Sequence, residues 1–459
     1  MTHLPKNYDV LIIWWWVSGT ALLYTLSNFT NIWSIGLIEK YAKPGLVNSK
    51  NTNNSQTLHS GDIETNYNLA KATKVKKKAD MLKWFCEEYK NEHGKEDFFH
   101  VYNKMILAIW ETEVADLEKR YDQFKDLFPA LKKLTREELA KAEPLVTKGR
   151  NPNENILALQ SPEWYTIDYG KLTEIFVDKS VVGTHGNASD HDNASDRKVD
   201  IFFDTKIKKI NRTDSGYTLI TNTGDELHCK VLIVSAGGHT PLIAQSLGYA
   251  KNYSILSVAG TFFKSSKKLL NGKVYTMQME KLPFAAVHGD PDVYNSDETR
   301  FGPTAKGIFM LERYNYASVR EYFQVFGFRR KAFKLILSLV FDKIIWPYLL
   351  INFFYDLPRI GKRLFLREIK KIIPSISAND IVVTPGLWGT RPQILNLDTM
   401  QLEMWEAKII WDQVIFNITP SPWATTCLAN AYDDTQKIME FFDGEFSFEK
   451  DEFEKRYVR

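Results

Sequence analysis

The N-terminal part of the chain alternates between short apolar runs and a helix-like segment. The runs Asp9 to Ile13 and Ile35 to Ile38 are rich in β-branched and aliphatic residues, and the segment Ser18 to Leu26 between them opens on small residues. Apolar runs of this length are typical of buried strands. The pattern therefore predicts a strand, a helix and a second strand, with the acidic residue Glu39 directly after the second strand.

This unit has the length of a dinucleotide-binding unit, in which a carboxylate about 20 residues beyond the turn holds a ribose hydroxyl. Glu39 stands in that position. The turn before the helix normally reads G-x-G-x-x-G, because glycine lets the backbone approach the pyrophosphate. Counting back from Gly19, the other two glycine positions hold Trp14 and Trp16, with Trp15 between them. The sequence thus predicts a dinucleotide site with an obstructed turn.

A second strand-rich region begins at Val199. Two short strands joined at turn residues lead into a buried apolar strand, which ends at Gly237 and Gly238 and is followed by a helix over Thr240 to Leu247. A strand meander that returns to a buried strand ending in glycine is a common second approach to a dinucleotide. Together the two regions predict an α/β fold with a Rossmann-like cofactor domain.

Apolar residues at helical spacing predict further helices between these two regions. The pattern indicates amphipathic helices over Lys71 to Asn91 and Thr135 to Ala142, and another helix that begins after Asp168. Glu138 lies three residues beyond a threonine at the start of the second of these helices, which is the spacing of a capping box.

Composition limits the classes of protein to which this chain can belong. With 459 residues, 44% apolar residues and a formal charge of +3, the chain is long enough for two domains. The small net charge argues against a nucleic-acid binder. Cys86, Cys229 and Cys427 are too far apart for a metal site or a disulfide framework, which suggests a reducing compartment. No signal-peptide pattern precedes the first strand, so we expect a cytoplasmic protein. The spacing of the cysteines gives no reason to expect a bound metal.

Residues 326–371 combine apolar residues with clusters of Arg and Lys at both ends. Asp342, Lys343 and Pro347 interrupt the apolar run, so we do not expect a helix that spans a membrane. Two interpretations remain open. The segment forms helices that cover a sheet, or it presents a basic amphipathic face to an anionic membrane surface.

Two polar segments are candidates for a cofactor site. Asn54 to Tyr67 combines a His-Ser-Gly turn with flanking polar side chains, which suits either cofactor contacts or an ordinary surface loop. Near the C-terminus, a turn at Pro420 to Pro422 precedes a helix that is predicted to begin near Ala424. The free N–H groups at such a helix N-terminus suit the edge of an anionic flavin.

Seven short motifs in this order resemble the FAD-dependent malate:quinone oxidoreductases. They are YDVLII…VSGTALLYTL…GLIEK, NSQTLHSGDIETNY, DYGKLT, VLIVSAGGH, PFAAVHGDPD…TRFGPTA, GTRPQ and PSPWATT. The resemblance implies a fold like that of glycine oxidase and D-amino-acid oxidase, with a Rossmann-like FAD domain and an α+β substrate domain built on a mixed sheet. It assigns residues 1–72, 161–250 and 386–459 to the FAD domain, and residues 73–160 and 251–385 to the substrate domain.

The resemblance implies oxidation of (S)-malate to oxaloacetate, a reaction of the tricarboxylic acid cycle, with electrons passed through FAD to a membrane quinone. His288 would be the base that takes the hydroxyl proton. Arg391 and Arg300 would hold the two carboxylates, because a guanidinium pairs bidentately with a carboxylate. Residues 326–371 would contact the inner face of the cell membrane, in which the quinone is dissolved.

The resemblance also assigns contacts to FAD and reveals where this chain departs from the family. The expected FAD contacts are Ser18, Gly19, Glu39, Lys40, Ser55, His59, Ser60, Gly237, Gly389, Ala424 and Thr425. Where the family has glycine, this chain has Trp14, Trp15 and Trp16 in the pyrophosphate turn, and Trp388 and Trp423 near the flavin.

Tryptophan at these five positions would fill the volume that the cofactor needs, and overpacking typically costs about 1–3 kcal/mol per site. Our hypothesis is that FAD binding is blocked and that activity is lost. Two alternatives stay open. The protein is a functional flavoprotein that oxidises another 2-hydroxy acid, or it is a non-catalytic fold of the family.

Overall fold

The computed structural model describes residues 6–14, 16–94, 98–182, 197–278, 286–343, 345–355, 357, 360–384, 389–403, 407–418 and 422–459. Within them, strands form two large sheets and one small sheet, and helices pack on the sheet faces. The helices are α1 Val17–Phe29, α2 Leu69–His93, α3 Glu111–Phe124, α4 Arg136–Ala142, α5 Pro144–Thr147, α6 Tyr169–Val182, α7 Thr240–Ser246, α8 Ser318–Phe326, α9 Arg330–Val340, α10 Ile345–Tyr355, α11 Ile360–Ile372, α12 Cys427–Phe441 and α13 Lys450–Tyr457. The strands are β1 Lys6–Trp14, β2 Ser34–Ile38, β3 Phe99–Ala108, β4 Lys132–Leu134, β5 Leu157–Ile167, β6 Lys198–Phe202, β7 Ile207–Thr213, β8 Gly216–Thr221, β9 Glu226–Ser235, β10 Tyr253–Ala259, β11 Phe262–Ser265, β12 Lys273–Thr276, β13 His288–Pro291, β14 Thr299–Gly302, β15 Lys306–Ile308, β16 Val382–Thr384, β17 Thr390–Asn396, β18 Gln401–Glu403, β19 Ala407–Trp411 and β20 Val414–Ile418.

The first large sheet contains the strands that were predicted near the N-terminus. Its strand order is β19, β20, β9, β1, β2 and β6. β1 lies parallel to both β2 and β9, and β20 lies parallel to β9. β7 and β8 add an antiparallel meander beside β9. The predicted strand, helix and strand unit, the meander and the α/β fold are therefore confirmed.

Strand β1 reads as a continuous apolar run because the sheet buries it on both faces. Val10 and Ile12 belong to the core that includes α1, α6 and α12. Leu11 and Ile13 belong to the core on the opposite face, which includes the meander and α7. Alternate side chains of a strand point to opposite faces, so an apolar residue is needed at every position.

The second large sheet has the order β16, β11, β14, β13, β12, β3, β5 and β4. It is mixed, because β3 and β12 are parallel whereas the other neighbours are antiparallel. Helix α11 covers one face, where Phe365 stacks on Phe263 with ring centroids 4.5 Å apart. A small antiparallel sheet of β15, β10, β17 and β18 carries Arg391 opposite Val258.

Local capping explains where several predicted helices begin. The predicted capping box of α4 is confirmed, because the Thr135 hydroxyl accepts from the Glu138 N–H at 3.2 Å and the Glu138 carboxylate accepts from the Thr135 N–H at 2.8 Å. The helix predicted after Asp168 is also confirmed as α6. The C-terminal helix predicted near Ala424 begins only at Cys427, because a turn from the Pro422 carbonyl intervenes.

The predicted domain ranges stay a prediction. Strand β5 belongs to the second sheet and crosses residue 161, and β17 pairs with β10 in the small sheet. In the described part of the chain, no single helix is both long enough and apolar enough to cross a membrane. Helices α9 and α10 meet that test only as a pair, and they are bent by 84° relative to each other.

Candidate cofactor and substrate site

The N-terminus of α1 lies at the carboxyl end of β1, where the dinucleotide turn was predicted. Trp16 is the N-cap residue, and its carbonyl accepts a hydrogen bond from the Gly19 N–H at 3.2 Å. The Val17 N–H donates to the Ser49 hydroxyl at 2.9 Å. The Ser18 hydroxyl is buried and has no hydrogen-bond partner among the described residues. This end of α1 therefore keeps a polar group available in an enclosed space.

Glu39 lies at the end of β2 and is almost fully buried. Its Oε1 accepts a hydrogen bond from the Tyr41 N–H at 2.9 Å. Burial raises the pKa of Glu39 to about 8, although the Tyr41 hydrogen bond and the charge of Lys40 oppose this effect. Lys40 itself pairs with the buried Glu312 at 2.6 Å. The predicted ribose-binding position is thus a buried carboxyl group beside an ion pair.

The side chain of Trp16 lies directly against Gly237. A Cβ atom placed on Gly237 would stand 2.6 Å from Nε1 of the indole, which is closer than such atoms approach in proteins. Gly237 also has a φ of +56°, in the region that favours glycine. The indole therefore fills the space over Gly237, between the end of β1 and the end of β9.

A cavity of about 100 Å³ lies next to this indole. Several predicted cofactor and substrate residues line it together with Trp16 and Trp423. The lining residues among those predictions are Ser55, His59, Gly389, Arg391, Ala424 and Thr425. These residues come from the loop after β2, from β17 and from the turn before α12, so the fold joins segments that are distant in sequence.

His59 is the histidine in the wall of this cavity. Its Nδ1 lies 2.8 Å from Oε1 of Glu64, and its backbone N–H donates to the Thr425 hydroxyl at 3.0 Å. Burial lowers the pKa of His59, and the Glu64 hydrogen bond opposes this effect. Lys104 and His59 hold the pKa of Glu64 below its usual range, against the effect of burial. A neutral imidazole whose Nδ1–H donates to Glu64 leaves Nε2 as an acceptor.

His288 and Arg300 lie in the second sheet and do not line the cavity. The His288 ring is buried, Nδ1 lies 3.1 Å from the Ala286 carbonyl, and Nε2 has no hydrogen-bond partner among the described residues. Burial and the charge of Lys273 hold the pKa of His288 well below its usual value. The Arg300 guanidinium donates to Oδ2 of Asp290 at 2.5 Å. The assignments of His288 as a base and Arg300 as a carboxylate ligand stay predictions.

Two buried lysines of the second sheet contact the loop after β2, and no sequence motif indicated them. Lys273 donates to the Thr57 hydroxyl at 2.5 Å and to the Ser55 carbonyl at 3.1 Å, and burial lowers its pKa to about 7. Lys104 pairs with Asp62 at 2.6 Å. The signal that could have found them is a lysine at the start or in the middle of an otherwise apolar strand.

The remaining predicted residues have different positions. Ser60 is half-buried beside His59 in the loop after β2. Trp15 and Trp388 lie outside the described residues, and so does the side chain of Trp14. Among the described residues, no group of three or more His, Cys, Asp or Glu side chains is arranged to hold a metal ion.

Known proteins resemble this chain in sequence over nearly its whole length. The probable malate:quinone oxidoreductase of Campylobacter jejuni is 38% identical over 454 residues, which cover 97% of this chain and 98% of that protein. The malate:quinone oxidoreductase of Helicobacter pylori is 36% identical over 454 residues, with 97% of each chain covered.

Solved structures share the fold at low sequence identity. The L-α-glycerophosphate oxidase of Mycoplasma pneumoniae, solved with FAD bound, superimposes with a TM-score of 0.66 at 17% identity and covers 96% of each chain. The glycine oxidase of Geobacillus kaustophilus gives a TM-score of 0.63 at 13% identity, with 95% of each chain covered. At these identities, the likeness confirms the predicted Rossmann-like architecture and nothing finer.

The family profile of malate:quinone oxidoreductase (Mqo) matches residues 6–313. This match covers about two thirds of the chain and includes the β1–α1–β2 unit, the His59 loop and β13 with His288. Together with the two relatives, it confirms the resemblance that the seven motifs indicate. The chain belongs to the malate:quinone oxidoreductase family.

Proposed function

We propose that this protein is built to oxidise (S)-malate to oxaloacetate with FAD as cofactor and a membrane quinone as electron acceptor, and that its tryptophans block the FAD site. The family membership supports the reaction. The observation that carries the second part is the indole of Trp16 against Gly237. The unaltered protein is therefore expected to hold no flavin and to have no malate oxidation activity.

The two ends of the site suit groups of FAD, whereas the space between them does not. The unpartnered Ser18 hydroxyl at the start of α1 and the buried Glu39 suit a phosphate and a ribose hydroxyl. The space between them does not suit the cofactor, because Trp16 stands where a pyrophosphate would have to approach the backbone. Ligand sites for drug-sized molecules have volumes of roughly 300–1,000 Å³. The cavity of about 100 Å³ between Trp16 and Trp423 is far below that range.

The groups proposed to act on malate are the chain's own side chains. Arg391 in the cavity wall would bind one carboxylate, because a guanidinium pairs bidentately with it. Arg300 would bind the other carboxylate if its guanidinium released Asp290 and donated to malate instead. His288 would take the hydroxyl proton at Nε2, since its Nδ1 is directed to a carbonyl. Each of these roles is part of the proposal.

The proposal also includes a peripheral position on the inner face of the cell membrane. Residues 326–371 carry exposed apolar side chains and basic residues, and a quinone acceptor dissolved in the bilayer requires that the protein come close to it. We place this contact on the surface of the membrane, because the described helices include none that spans it alone.

The visible absorption spectrum of the purified protein tests the blocked site. We expect no flavin absorption after desalting, and no malate-dependent reduction of a quinone dye. Replacing all five tryptophans by glycine (Trp14→Gly, Trp15→Gly, Trp16→Gly, Trp388→Gly and Trp423→Gly) should restore both. A matched control replaces Trp33 and Trp110, which are exposed and do not line the cavity, by glycine and should stay colourless.

Two outcomes contradict parts of this proposal in different ways. Stoichiometric flavin in the unaltered protein would refute the hypothesis of a blocked FAD site and would leave the proposed family reaction unaffected. A folded five-glycine variant that stays colourless and inert would count against FAD and malate as the cofactor and substrate of this chain. Circular dichroism of each variant separates loss of folding from loss of binding.

A further inference from the structure

Helices α9 and α10 form a corner on the surface of the molecule. They follow each other in the chain and are bent by 84° relative to each other. Each helix has 11 residues and is therefore about 16 Å long. The apolar core of a bilayer is about 30 Å thick, so each helix alone has only about half of the length that spanning requires.

The inner faces of both helices are fixed to the rest of the protein. Ala332 and Leu335 of α9 are buried in a core shared with α8 and β10. On α10, Asn352 and Tyr355 are buried, and Oδ1 of Asn352 accepts a hydrogen bond from the Ala305 N–H at 2.6 Å. The corner is therefore a packed part of the fold, and its outer faces are not needed to complete a core.

The outer faces of the corner are apolar as well. They expose aromatic and aliphatic side chains at intervals of three or four residues, which places them on one side of each helix. These side chains are Phe333, Leu337, Phe341, Trp346, Leu350 and Phe353. Phe341 is 75% exposed, Phe353 61% and Trp346 46%. A solvent-facing helix is normally polar on that side, and a contiguous exposed apolar patch marks an interaction surface.

Basic residues lie at the start of α9 and between α9 and α10. Residues 329–355 contain five Lys or Arg and one acidic residue, Asp342. Oδ1 of Asp342 accepts from the Ile345 N–H at 3.1 Å and so caps α10. Lys331 is 3.8 Å from Asp398 in an exposed pair, which is worth little in water. The excess of positive charge beside the apolar side chains suits an anionic surface.

We propose that the corner of α9 and α10 inserts its exposed aromatic and aliphatic side chains into one leaflet of an anionic lipid bilayer. Its lysines and arginines then lie at the level of the headgroups. A second copy of this chain is a poorer occupant, because a symmetric contact would bring two basic clusters together. This inference makes the proposed membrane contact specific, rests on that part of the proposed function, and does not depend on FAD.

Flotation of the intact protein with lipid vesicles tests the inference. We expect the unaltered protein to float with vesicles that contain phosphatidylglycerol, to float less at high salt, and to stay behind with pure phosphatidylcholine. The variant with Leu337→Ser, Phe341→Ser and Phe353→Ser should lose at least ten-fold in bound fraction. A matched control carries Val101→Ser and Trp411→Ser, which are as exposed but lie outside the corner, and should float like the unaltered protein.

A fluorescent label reports insertion directly. An environment-sensitive dye on Phe341→Cys should shift to the blue with phosphatidylglycerol vesicles, whereas the same dye on Trp411→Cys should not. The three native cysteines are buried and are protected from labelling in the folded protein.

Three results would overturn the inference. A folded triple-serine variant that floats like the unaltered protein would move the contact elsewhere while the general membrane contact stands. If the unaltered protein did not float with vesicles of either composition, both the insertion of the corner and the general membrane contact would be refuted. An unaltered protein that is dimeric by light scattering, with a monomeric triple-serine variant and no vesicle binding, would assign the corner to a contact between copies.

Discussion

Glu39 is the residue whose burial should be measurable in the stability of the protein. Burial raises its pKa from the ordinary value of 4.5 to about 8. Between these values the folded state keeps the proton that the unfolded state releases, so this stabilising contribution is complete below pH 4.5 and is lost as the pH rises towards 8. We therefore expect the free energy of unfolding of Glu39→Gln, relative to the unaltered protein, to rise across this range.

Urea unfolding of both proteins at several pH values between 4.5 and 8 checks this expectation. Comparing the variant with the unaltered protein cancels the titration of all other groups. A difference in unfolding free energy that stays constant over the range would contradict a proton held by Glu39 in the folded state.

At the scale of residues, spacing predicted some positions and missed others. The spacing from Gly19 to Glu39 predicted that Gly19 lies in α1 and Glu39 directly after β2, because that relation is local in sequence, and their contacts to a dinucleotide stay predictions. The pairing of Lys104 with Asp62 could not be predicted, since it joins a strand of the second sheet to a loop of the cofactor site. The cavity wall holds His59, which was predicted as an FAD contact, whereas His288, which was predicted as the base, does not line it.

At the scale of elements, Asn352 makes α10 a support for the loop before β15. Its Oδ1 accepts from the Ala305 N–H at 2.6 Å, and both groups are buried. Asn352→Leu preserves the side-chain size but leaves that N–H without a partner, which costs about 1–3 kcal/mol. We expect urea unfolding to give a free energy of unfolding that is lower by this amount. Ser338→Ala on α9 is the control, because this hydroxyl bonds only within its own helix and should matter by less than about 0.5 kcal/mol.

An Asn352→Leu variant as stable as the unaltered protein would show that water replaces the lost acceptor. The same conclusion would follow if Asn352→Leu lowered the free energy of unfolding no more than Ser338→Ala does. In that case the apolar contacts of α10 would be sufficient to hold it.

Elements with strong local signals were predicted well. The capping box of α4 and the start of α6 depend on residues within four positions of each other. Helix α12 begins three residues later than predicted, because Thr425 and Thr426 donate to the Pro422 carbonyl and close a turn first. The pairing of β17 with β10 joins residues that are far apart in sequence, so no local pattern could reveal it.

At the scale of the whole molecule, a ligand that binds only the folded state raises its stability. At a hundred times its dissociation constant, such a ligand adds about 2.7 kcal/mol. If Trp16, which lies against Gly237, blocks the FAD site as we propose, added FAD should leave the melting temperature of the unaltered protein unchanged. The five-glycine variant should melt several degrees higher with FAD than without it.

Differential scanning fluorimetry with a dye distinct from flavin emission, or circular dichroism, measures this shift. Riboflavin, which lacks the adenosine half, is the control ligand and should produce a smaller shift in the glycine variant. A rise in the melting temperature of the unaltered protein with FAD would contradict the blocked site.

The overall architecture could be predicted because apolar runs and family motifs extend over most of the chain. The way in which distant segments close the sheets could not. Strands β17 and β18 of the small sheet and strands β19 and β20 of the first sheet lie beyond residue 313, where the match to the family profile ends.

The position of β20 has a consequence for the order in which the molecule assembles on the ribosome. β20 pairs in parallel with β9, yet it follows the end of β9 by about 180 residues. β8 pairs with the first part of this edge of β9, and β20 pairs with Leu232 to Val234. At a synthesis rate of about 5–20 residues per second, that last part of the edge stays open for about 10–40 s before β20 exists. During that interval the nascent sheet presents an unpaired apolar segment at the end of β9. Truncated or stalled chains should therefore be captured by chaperones, and the first sheet should become resistant to protease only after residue 418 has emerged.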